Sequence, residues 1–270
     1  MTRATLTDVL GPTHAVAGFV CLGWEDARAY VAAAEAEAAP VILQAGPGAR
    51  QHMPLTVWGA MLGALADAAT VPVVVHLDHG ENAEVCRSAI AAGFTSVMFD
   101  GSALPLADNI AQTAQIAGMA HAAGVSCEGE VGFVGYAAGA ESRGTDAQEA
   151  AQFAARTGVD AMAVSVGNTH LVEGTGPRLN EAWIAAIAAL TPAPLVIHGG
   201  SGVPEDQRRA LALTGRVAKF NIGTQLRQVW GNTLRQTLAA DTGVFDRIAI
   251  LRATEGPLAL AARKVIAQLR

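Results

Sequence analysis

The stretch VVVHLDHGEN at residues 73–82 decides the fold, because a short apolar run ends abruptly in polar residues. Three successive valines favour a β-strand, and the run is apolar enough to be buried on both faces. Asp78 and His79 follow at its carboxyl end. A buried strand that ends in side chains capable of chemistry is typical of an α/β enzyme with a parallel sheet.

The same pattern recurs along the whole sequence, where β-branched runs alternate with Ala-rich helical runs. Eight strands, each followed by a helix, predict an α/β fold of the (β/α)8 TIM-barrel type, with residues 1–270 as one domain. The predicted strands cover residues 16–19, 41–43, 73–77, 96–99, 125–128, 161–164, 195–197 and 217–221. The predicted helices cover residues 25–38, 55–69, 83–92, 106–123, 147–156, 181–190, 204–213 and 224–240. Residues 245–270 predict an extra C-terminal helix for packing or subunit contact.

An open doubly wound sheet is the main alternative to the barrel. It usually carries a glycine-rich first turn, and Cys21-Leu22-Gly23-Trp24 lacks that pattern. Polar residues instead follow several strands, as in Asp-Gly-Ser after Phe99 and His-Gly-Gly-Ser-Gly after Ile197. Barrel enzymes build their sites at these strand ends, so the barrel is favoured.

Composition limits the classes of function. A chain with 51% hydrophobic and 16% charged residues has enough apolar material for a large core. The formal charge is −6 and there is no run of Lys or Arg, which argues against nucleic-acid and membrane partners. Cys21, Cys86 and Cys127 form no CxxC pair, and no apolar segment is long enough to span a membrane. A cytoplasmic location is therefore expected.

Histidines mark a candidate metal site. Of the seven in the chain, His79, His170 and His198 follow the third, sixth and seventh predicted strands. A single histidine is more often a hydrogen-bonded, partly buried ring than a ligand. Three at one rim of a barrel favour a metal, because three imidazoles and an open position are a common donor set for catalytic zinc.

Two acidic residues lie beside this set. Strand alternation points Asp78 inward, while His79 lies past the predicted strand end, where the backbone can turn its ring toward the barrel axis. Asp78 is interpreted as an orienting or proton-transfer carboxylate, or equally as a residue that stabilises the next helix dipole. Glu130 is interpreted as a metal carboxylate or as a solvated loop acid.

Glycine-rich turns after the last two strands suggest a phosphate site. The amides of Gly199 to Ser201 and of Gly223 and Thr224 open helices, as barrel phosphate sites usually do. The alternative is that the Ser201 and Thr224 hydroxyls only cap those helices. Residues 129–145 form a long Gly-rich segment, which suggests a mobile lid.

An ordered set of motifs resembles the class II (metal-dependent) ketose-bisphosphate aldolases, the family of fructose- and tagatose-bisphosphate aldolases. The resemblance covers residues 16–225. The motifs are HLDHGEN (76–82), FDGS (99–102), EGEVG (128–132), TDAQEA (145–150), TGVDAMAVSVGNTH (157–170), LVIHGGSGVP (195–204) and KFNIGT (219–224). Their number and order make the match far more specific than any one motif.

The resemblance implies a zinc-dependent aldolase that reversibly cleaves a phosphorylated ketose to dihydroxyacetone phosphate and an aldehyde, with the metal stabilising the enediolate. It implies a homo-oligomer and a possible monovalent cation. Asp78 is the implied acid/base at the C4 hydroxyl. The implied metal ligands are His79, His170 and His198, with Glu130 near the metal; the implied binders of dihydroxyacetone phosphate are Gly199, Ser201, Asn221 and Thr224.

Departures from the family pattern suggest an altered substrate. Leu171 replaces the usual glycine after the second metal histidine, and Val20 replaces the usual asparagine after Phe19. The lid is short and lacks the usual Gly-Gly-x-Glu-Asp piece, which leaves Glu141 as the nearest acid for abstracting the C3 proton. Lys219 is interpreted as structural or electrostatic, since a metal aldolase needs no Schiff-base lysine.

Two other functions remain open. A barrel hydrolase could use the same histidines to form a zinc hydroxide, although such enzymes usually carry an HxH pair on the first strand, which is missing at residues 16–21. A non-catalytic partner subunit on an aldolase scaffold would explain the lost lid glutamate, but the complete histidine set opposes it.

Overall fold

The computed structural model describes residues 2–270. Its strands belong to one parallel sheet. They are β1 (Arg3–Ala4), β2 (Val16–Val20), β3 (Val41–Ala45), β4 (Val73–Gly80), β5 (Ser96–Phe99), β6 (Ser126–Val131), β7 (Ala161–Val164), β8 (Leu195–Ile197) and β9 (Lys219–Ile222). Eight of these strands, β2 to β9, match the eight predicted ones in position.

The sheet closes on itself. β9 pairs with β2, where Val16 is opposite Lys219 and Phe19 is opposite Ile222. β4 pairs with both β3 and β5, so the ring from β2 to β9 is complete. The predicted TIM-barrel fold is therefore confirmed.

Helices surround the barrel. They are α1 (Leu6–Val9), α2 (Trp24–Ala36), α3 (Pro47–His52), α4 (Leu55–Ala68), α5 (Ala83–Ala91), α6 (Leu106–Ala122), α7 (Ala147–Thr157), α8 (Glu181–Leu190), α9 (Glu205–Leu213), α10 (Thr224–Ala240), α11 (Arg247–Arg252) and α12 (Glu255–Gln268). A short 3₁₀ turn covers Gly200–Gly202. Within residues 2–270, no helix has both the length and the apolar character that a membrane crossing requires.

The C-terminal helices differ from the sequence prediction. Residues 245–270 form α11 and α12 rather than one helix. α12 packs against α2 and buries Leu258, Ala262 and Val265, so it forms part of the barrel wall. α10, predicted as the eighth wall helix, buries only Leu226. The reason is composition: α10 carries mostly polar side chains, whereas α12 carries an apolar face.

The N-terminal segment closes the amino-terminal end of the barrel. β1 pairs with β4, and the following helix α1 buries Leu6 and Val9. The Leu6 amide donates to Oγ of Ser126 in β6 at 3.0 Å. The sequence analysis missed both elements because they are too short to show a periodic pattern.

Above β1 and α1, the barrel interior changes from apolar to polar. The lower layer is apolar and consists of residues such as Ile42, Val74 and Val196. The next layer toward the carboxyl ends of the strands is fully buried but polar; it contains Gln44, His76, Ser96, Glu128 and Lys219. The candidate site lies directly above this polar layer.

Candidate metal centre and active site

The end of β4 points two neighbouring side chains into the site. Successive residues of a regular strand face opposite sides. Here the pairing of β4 with β5 shifts register between Leu77 and Gly80, and His79 has a left-handed φ of 49°. The sequence analysis placed His79 past the end of the strand, but the structure places it within β4. The register shift lets His79 share the site with Asp78.

Arg50 of α3 holds this strained strand end. One guanidinium nitrogen donates to the Asp78 carbonyl at 2.7 Å, and the other donates to the His79 carbonyl at 3.0 Å. The second nitrogen also contacts the Glu81 carboxylate at 2.6 Å. A left-handed backbone at a non-glycine residue costs of order 1–3 kcal/mol, which such surrounding contacts must offset.

His170 reaches the site from the loop after β7. Its amide donates to the Gly135 carbonyl at 2.8 Å, and its carbonyl accepts from the Ala137 amide at 3.0 Å. Tyr136 stacks on the imidazole, with 4.9 Å between ring centroids. The segment predicted as a lid, beyond the end of β6, is thus folded against His170.

His198 directly follows β8 and is fully buried. Its Nε2 lies 3.0 Å from Oε1 of Glu128 in the polar layer below. Its Nδ1 therefore faces upward, toward the other two histidines. His198 presents a different nitrogen from His79, whose Nδ1 lies 2.7 Å from Oδ2 of Asp100 and whose Nε2 faces the site.

The three predicted metal histidines converge. Their ring centroids are 4.6 to 5.5 Å apart. Nε2 of His79, Nε2 of His170 and Nδ1 of His198 are buried and have no hydrogen-bond partner. Each residue offers a ligand atom within 4.8 Å of the others. An unpaired buried nitrogen is costly, so this donor set fits a divalent cation that all three lone pairs bind.

Two carboxylates adjoin the histidines. Glu130 accepts from the Val134 amide through Oε1 at 3.1 Å. Its Oε2 has no partner and lies 3.6 Å from Nδ1 of His198 and 4.0 Å from Nδ1 of His79. His79, Asp100 and Glu130 form a second group that could hold a metal. Glu130 is therefore buried beside the triad rather than a solvated loop acid.

The carboxylates around the histidines favour the binding of a cation. Burial alone would lower the pKa of His79, but the carboxylates of Asp78, Asp100 and Glu130 outweigh burial and raise it to about 10. Burial and the charge of Asp100 raise the pKa of Glu130 to about 8. Burial and the charge of His79 lower the pKa of His170 to about 4, and the same causes lower that of His198 well below its usual value. His170 and His198 are therefore neutral and able to bind a metal at neutral pH.

A cavity of about 260 Å³ opens above the histidines. Asp78 lines it, and Nδ2 of Asn221 donates to Oδ1 of Asp78 at 3.3 Å. The predicted phosphate-binding residues Gly199, Ser201, Gly223 and Thr224 line the same cavity. The Ser201 hydroxyl also accepts from the Gly223 amide at 3.1 Å, so it supports the start of α10 as well.

The departures predicted to alter the substrate also lie here. Val20 and Leu171 line the cavity, and the Leu171 side chain is 51% exposed. The backbone of Leu171 keeps a left-handed φ of 59°, the region that glycine favours. The structure thus preserves the backbone path that a glycine would adopt there and adds a side chain. Glu141 is exposed and does not line the cavity.

Sequence reasoning assigned no role to several residues of the site. Asp100 and Glu128 lie in the motifs FDGS and EGEVG; Asp100 directly follows a predicted strand and Glu128 is the last residue of another, and these positions were the available signal. Arg50 and Tyr136 act through contacts that no local pattern reveals. Arg227, in the first turns of α10, is the only arginine or lysine that lines the cavity within residues 2–270.

Comparison with known proteins gives a consistent result. The model of the family "Fructose-bisphosphate aldolase class-II" matches residues 2–270. A 6-phospho-5-dehydro-2-deoxy-D-gluconate aldolase of Shouchella clausii is 39% identical, over 92% of this chain and 86% of the relative. A fructose-bisphosphate aldolase of Geobacillus stearothermophilus is also 39% identical, over 90% and 87%. The crystal structure of the YdjI aldolase from Escherichia coli K12 superposes with a TM-score of 0.85 at 29% identity, over 98% and 94%.

Proposed function

The chain belongs to the class II fructose-bisphosphate aldolase family, and we propose that it reversibly cleaves a phosphorylated ketose to dihydroxyacetone phosphate and an aldehyde. Membership makes it a lyase of the aldolase type rather than the hydrolase considered from the sequence. The observation that carries the proposal is the convergence of three unpaired imidazole nitrogens beside Asp78.

The proposed metal is zinc, held by His79, His170 and His198 with Glu130 as an adjacent carboxylate. A divalent cation held by these residues would polarise the substrate ketone and would stabilise the negative charge that develops on bond cleavage. The protein contributes the geometry: Asp100 orients His79, and Glu128 orients His198.

Asp78 is the proposed acid/base. Its Oδ1 accepts from Asn221, while the carboxylate faces the cavity. In the cleavage direction it removes the proton of the C4 hydroxyl as the C3–C4 bond breaks, and it returns that proton in condensation. Glu141 stays the proposed base for the C3 proton; this role requires the loop to bring it into the cavity, which it does not line here.

The substrate phosphate is proposed to bind at the two glycine-rich turns. Gly223 and Thr224, at the start of α10, line the cavity, and the positive end of the helix dipole favours an anion there. A second anionic group on the substrate is also proposed, since Arg227 lines the same cavity and forms no ion pair among residues 2–270.

The particular ketose is proposed to differ from the commonest one of the family. Val20 and Leu171 place aliphatic side chains on the cavity wall. Relatives with two different substrates are equally similar to this chain, at 39% identity. The residues that line the cavity are therefore a better guide to the substrate than overall sequence identity.

The test is a panel of C4-epimeric ketose bisphosphates and monophosphates, with release of dihydroxyacetone phosphate measured. We expect cleavage of at least one substrate, loss of activity on chelation and recovery with zinc. The Leu171→Gly variant, which removes the side chain and suits the left-handed backbone, should accept a broader panel. A wild-type protein that binds zinc but releases no dihydroxyacetone phosphate from any member would contradict the proposal.

A homo-oligomer is also proposed. Phe245 is 92% exposed and Ile248 is 65% exposed near the start of α11, and Trp230 is 36% exposed on α10, the helix that α11 contacts. Grouped apolar side chains of this size on a surface commonly mark a protein interface. A second copy of this chain is the partner that the proposal names.

A further inference from the structure

The polar layer beneath the metal histidines contains a fully buried ion pair. Nζ of Lys219 in β9 lies 2.6 Å from Oε2 of Glu128 in β6, and both side chains are fully inaccessible to solvent. Burying two opposite charges usually gains little stability, because the loss of hydration offsets their attraction. A pair placed so deep in the barrel therefore calls for a reason other than stability.

The geometry connects the pair to one metal ligand. Oε1 of Glu128, the oxygen that Lys219 does not contact, lies 3.0 Å from Nε2 of His198. A carboxylate only accepts hydrogen bonds, so Nε2 carries the proton. With that proton on Nε2, the ring of His198 has its lone pair on Nδ1, the nitrogen that faces the other histidines.

Lys219 determines which oxygen of Glu128 contacts His198. It pairs with one oxygen of Glu128, which leaves the other oxygen for His198. Lys219 also lies 3.4 Å from Nε2 of His76, and Nδ1 of His76 lies 2.7 Å from Oγ of Ser96. Burial and the charge of Lys219 lower the pKa of His76 well below its usual value, so His76 accepts from the ammonium group as a neutral ring.

We propose that Glu128 and Lys219 are a positioning pair that fixes the tautomer of His198 and so sets the affinity of the metal site. Glu128 orients the ring, and Lys219 orients Glu128. Neither residue touches the cavity, so neither is a catalytic residue. The inference rests on the proposed function only in that it takes the three histidines to bind a metal.

The first measurement is the tautomer itself. Long-range ¹H–¹⁵N spectra of the histidine-labelled apoprotein distinguish the two ring nitrogens, and a His198→Gln variant assigns the signal. We expect the proton of His198 on Nε2 in the wild-type protein. A proton on Nδ1 would overturn the inference.

The second measurement is zinc affinity, by competition with a chromophoric chelator. The double variant Glu128→Leu with Lys219→Met removes both charges together, so neither is left buried and unpaired. We expect the unfolding temperature of the apoprotein to change little and the zinc affinity to fall roughly 10- to 100-fold, the usual effect of losing a residue that orients a metal ligand. Wild-type affinity in a folded double variant would overturn the inference.

Ser96→Ala is the matched control. It removes a buried hydrogen bond to His76 in the same layer but leaves the Glu128–His198 contact in place. We expect its zinc affinity to equal that of the wild type, and an equal fall in both variants would instead indicate a general loosening of the layer and overturn the inference. If the double variant does not fold, the tautomer decides. A wild-type protein that binds no zinc would contradict the proposed metal site itself, which is a separate result.

Discussion

Asp78 and Asp100, the two carboxylates beside His79, differ in their contacts and in the roles proposed for them. Asp100 contacts Nδ1 of His79 and receives two hydrogen bonds from Ser102, so it is fully engaged in orienting that imidazole. Asp78 receives one bond from Asn221 and faces the cavity. Asp78 can therefore exchange a proton with a substrate, and Asp100 cannot.

This division predicts different defects for two isosteric variants. Asp78→Asn should lower kcat by roughly 10²- to 10⁴-fold, the usual contribution of a general acid/base, with zinc affinity retained. Asp100→Asn should lower zinc affinity by roughly 10- to 100-fold and restore most activity at saturating zinc. Steady-state kinetics and zinc titration of both variants check this, and an Asp78→Asn enzyme as active as the wild type would refute the assignment.

The protonation of the site predicts a pH dependence for the protein without metal. The pKa of His79 is raised from 6.5 to about 10, so the stability it contributes is present below pH 6.5 and is lost as pH rises toward 10. The pKa of Glu130, raised from 4.5 to about 8, acts in the same direction up to pH 8. We expect the unfolding temperature of the apoprotein to fall between pH 6.5 and 9.

Zinc should reverse that trend. Metal binding requires His79 to lose its proton, so affinity rises with pH over the same interval and binding at pH 7 releases protons. Thermal unfolding with and without zinc, together with calorimetry in buffers of different ionisation enthalpy, measures both effects. An unfolding temperature of the apoprotein that rises steadily from pH 6.5 to 9 would be inconsistent with this account.

At the scale of elements, the turn after β8 and the start of α10 act as one unit. Ser201 supports this unit because its hydroxyl accepts from the Gly223 and Gln225 amides at 3.1 and 3.4 Å. The hydroxyl therefore keeps the amides of the proposed phosphate site in place while itself lining the cavity. Capping and binding, which the sequence analysis treated as alternatives, are compatible in this geometry.

Ser201→Ala should raise KM for the phosphorylated substrate about tenfold, as expected for losing roughly 1.4 kcal/mol of binding. It should also lower the free energy of unfolding by about 1 kcal/mol. Asn180→Ala is the matched control, because Asn180 caps α8 by accepting from the Trp183 amide at 3.0 Å and lies outside the cavity lining. The control should lose similar stability and keep its KM; equal changes in KM would exclude a specific role for Ser201.

The sequence predicted the elements of the barrel better than the details within them. Buried strands such as β7 and β8 occur at their predicted bounds. An apolar run as short as theirs, between polar segments, is too short for a helix and therefore favours a strand. β4 and β6 extend further, to Gly80 and Val131, since their ends carry buried polar residues that resemble loops in sequence. At the register shift, the His79 carbonyl accepts a hydrogen bond from Arg50, 29 residues away, and no local sequence pattern encodes this contact.

The same limit applies to the candidate site. His79, His170, His198 and Asp78, which the structure brings together, were proposed from the sequence because they follow predicted strands. The roles of Glu128 and Lys219 depend on which strands face each other across the barrel interior, and that information lies in the closed sheet rather than in either segment. Residues that act by orienting another side chain could therefore be recognised only from the three-dimensional structure.

For the whole molecule, the exposed apolar side chains near α11 predict its oligomeric state. Phe245→Asp with Ile248→Asp should convert the proposed homo-oligomer to a monomer, because two charges would be buried at the interface of each copy. Light scattering after size-exclusion chromatography measures the mass. Val57→Asp is the control, as this residue is also exposed but lies on α4. A wild-type monomer, or a double variant with the mass of the wild type, would exclude this interface.

The closure of the barrel between its first and last strands has a consequence for synthesis of the chain. About 200 residues separate Val20 of β2 from Lys219 of β9. At roughly 5–20 residues per second, a ribosome needs on the order of 10–40 seconds to make them. During that interval the growing sheet has β2 as an open edge, and unpaired edges of hydrophobic strands attract other chains. A chain released before Ile222 keeps that edge permanently, so premature termination anywhere upstream of β9 yields a product prone to aggregate rather than a smaller stable barrel.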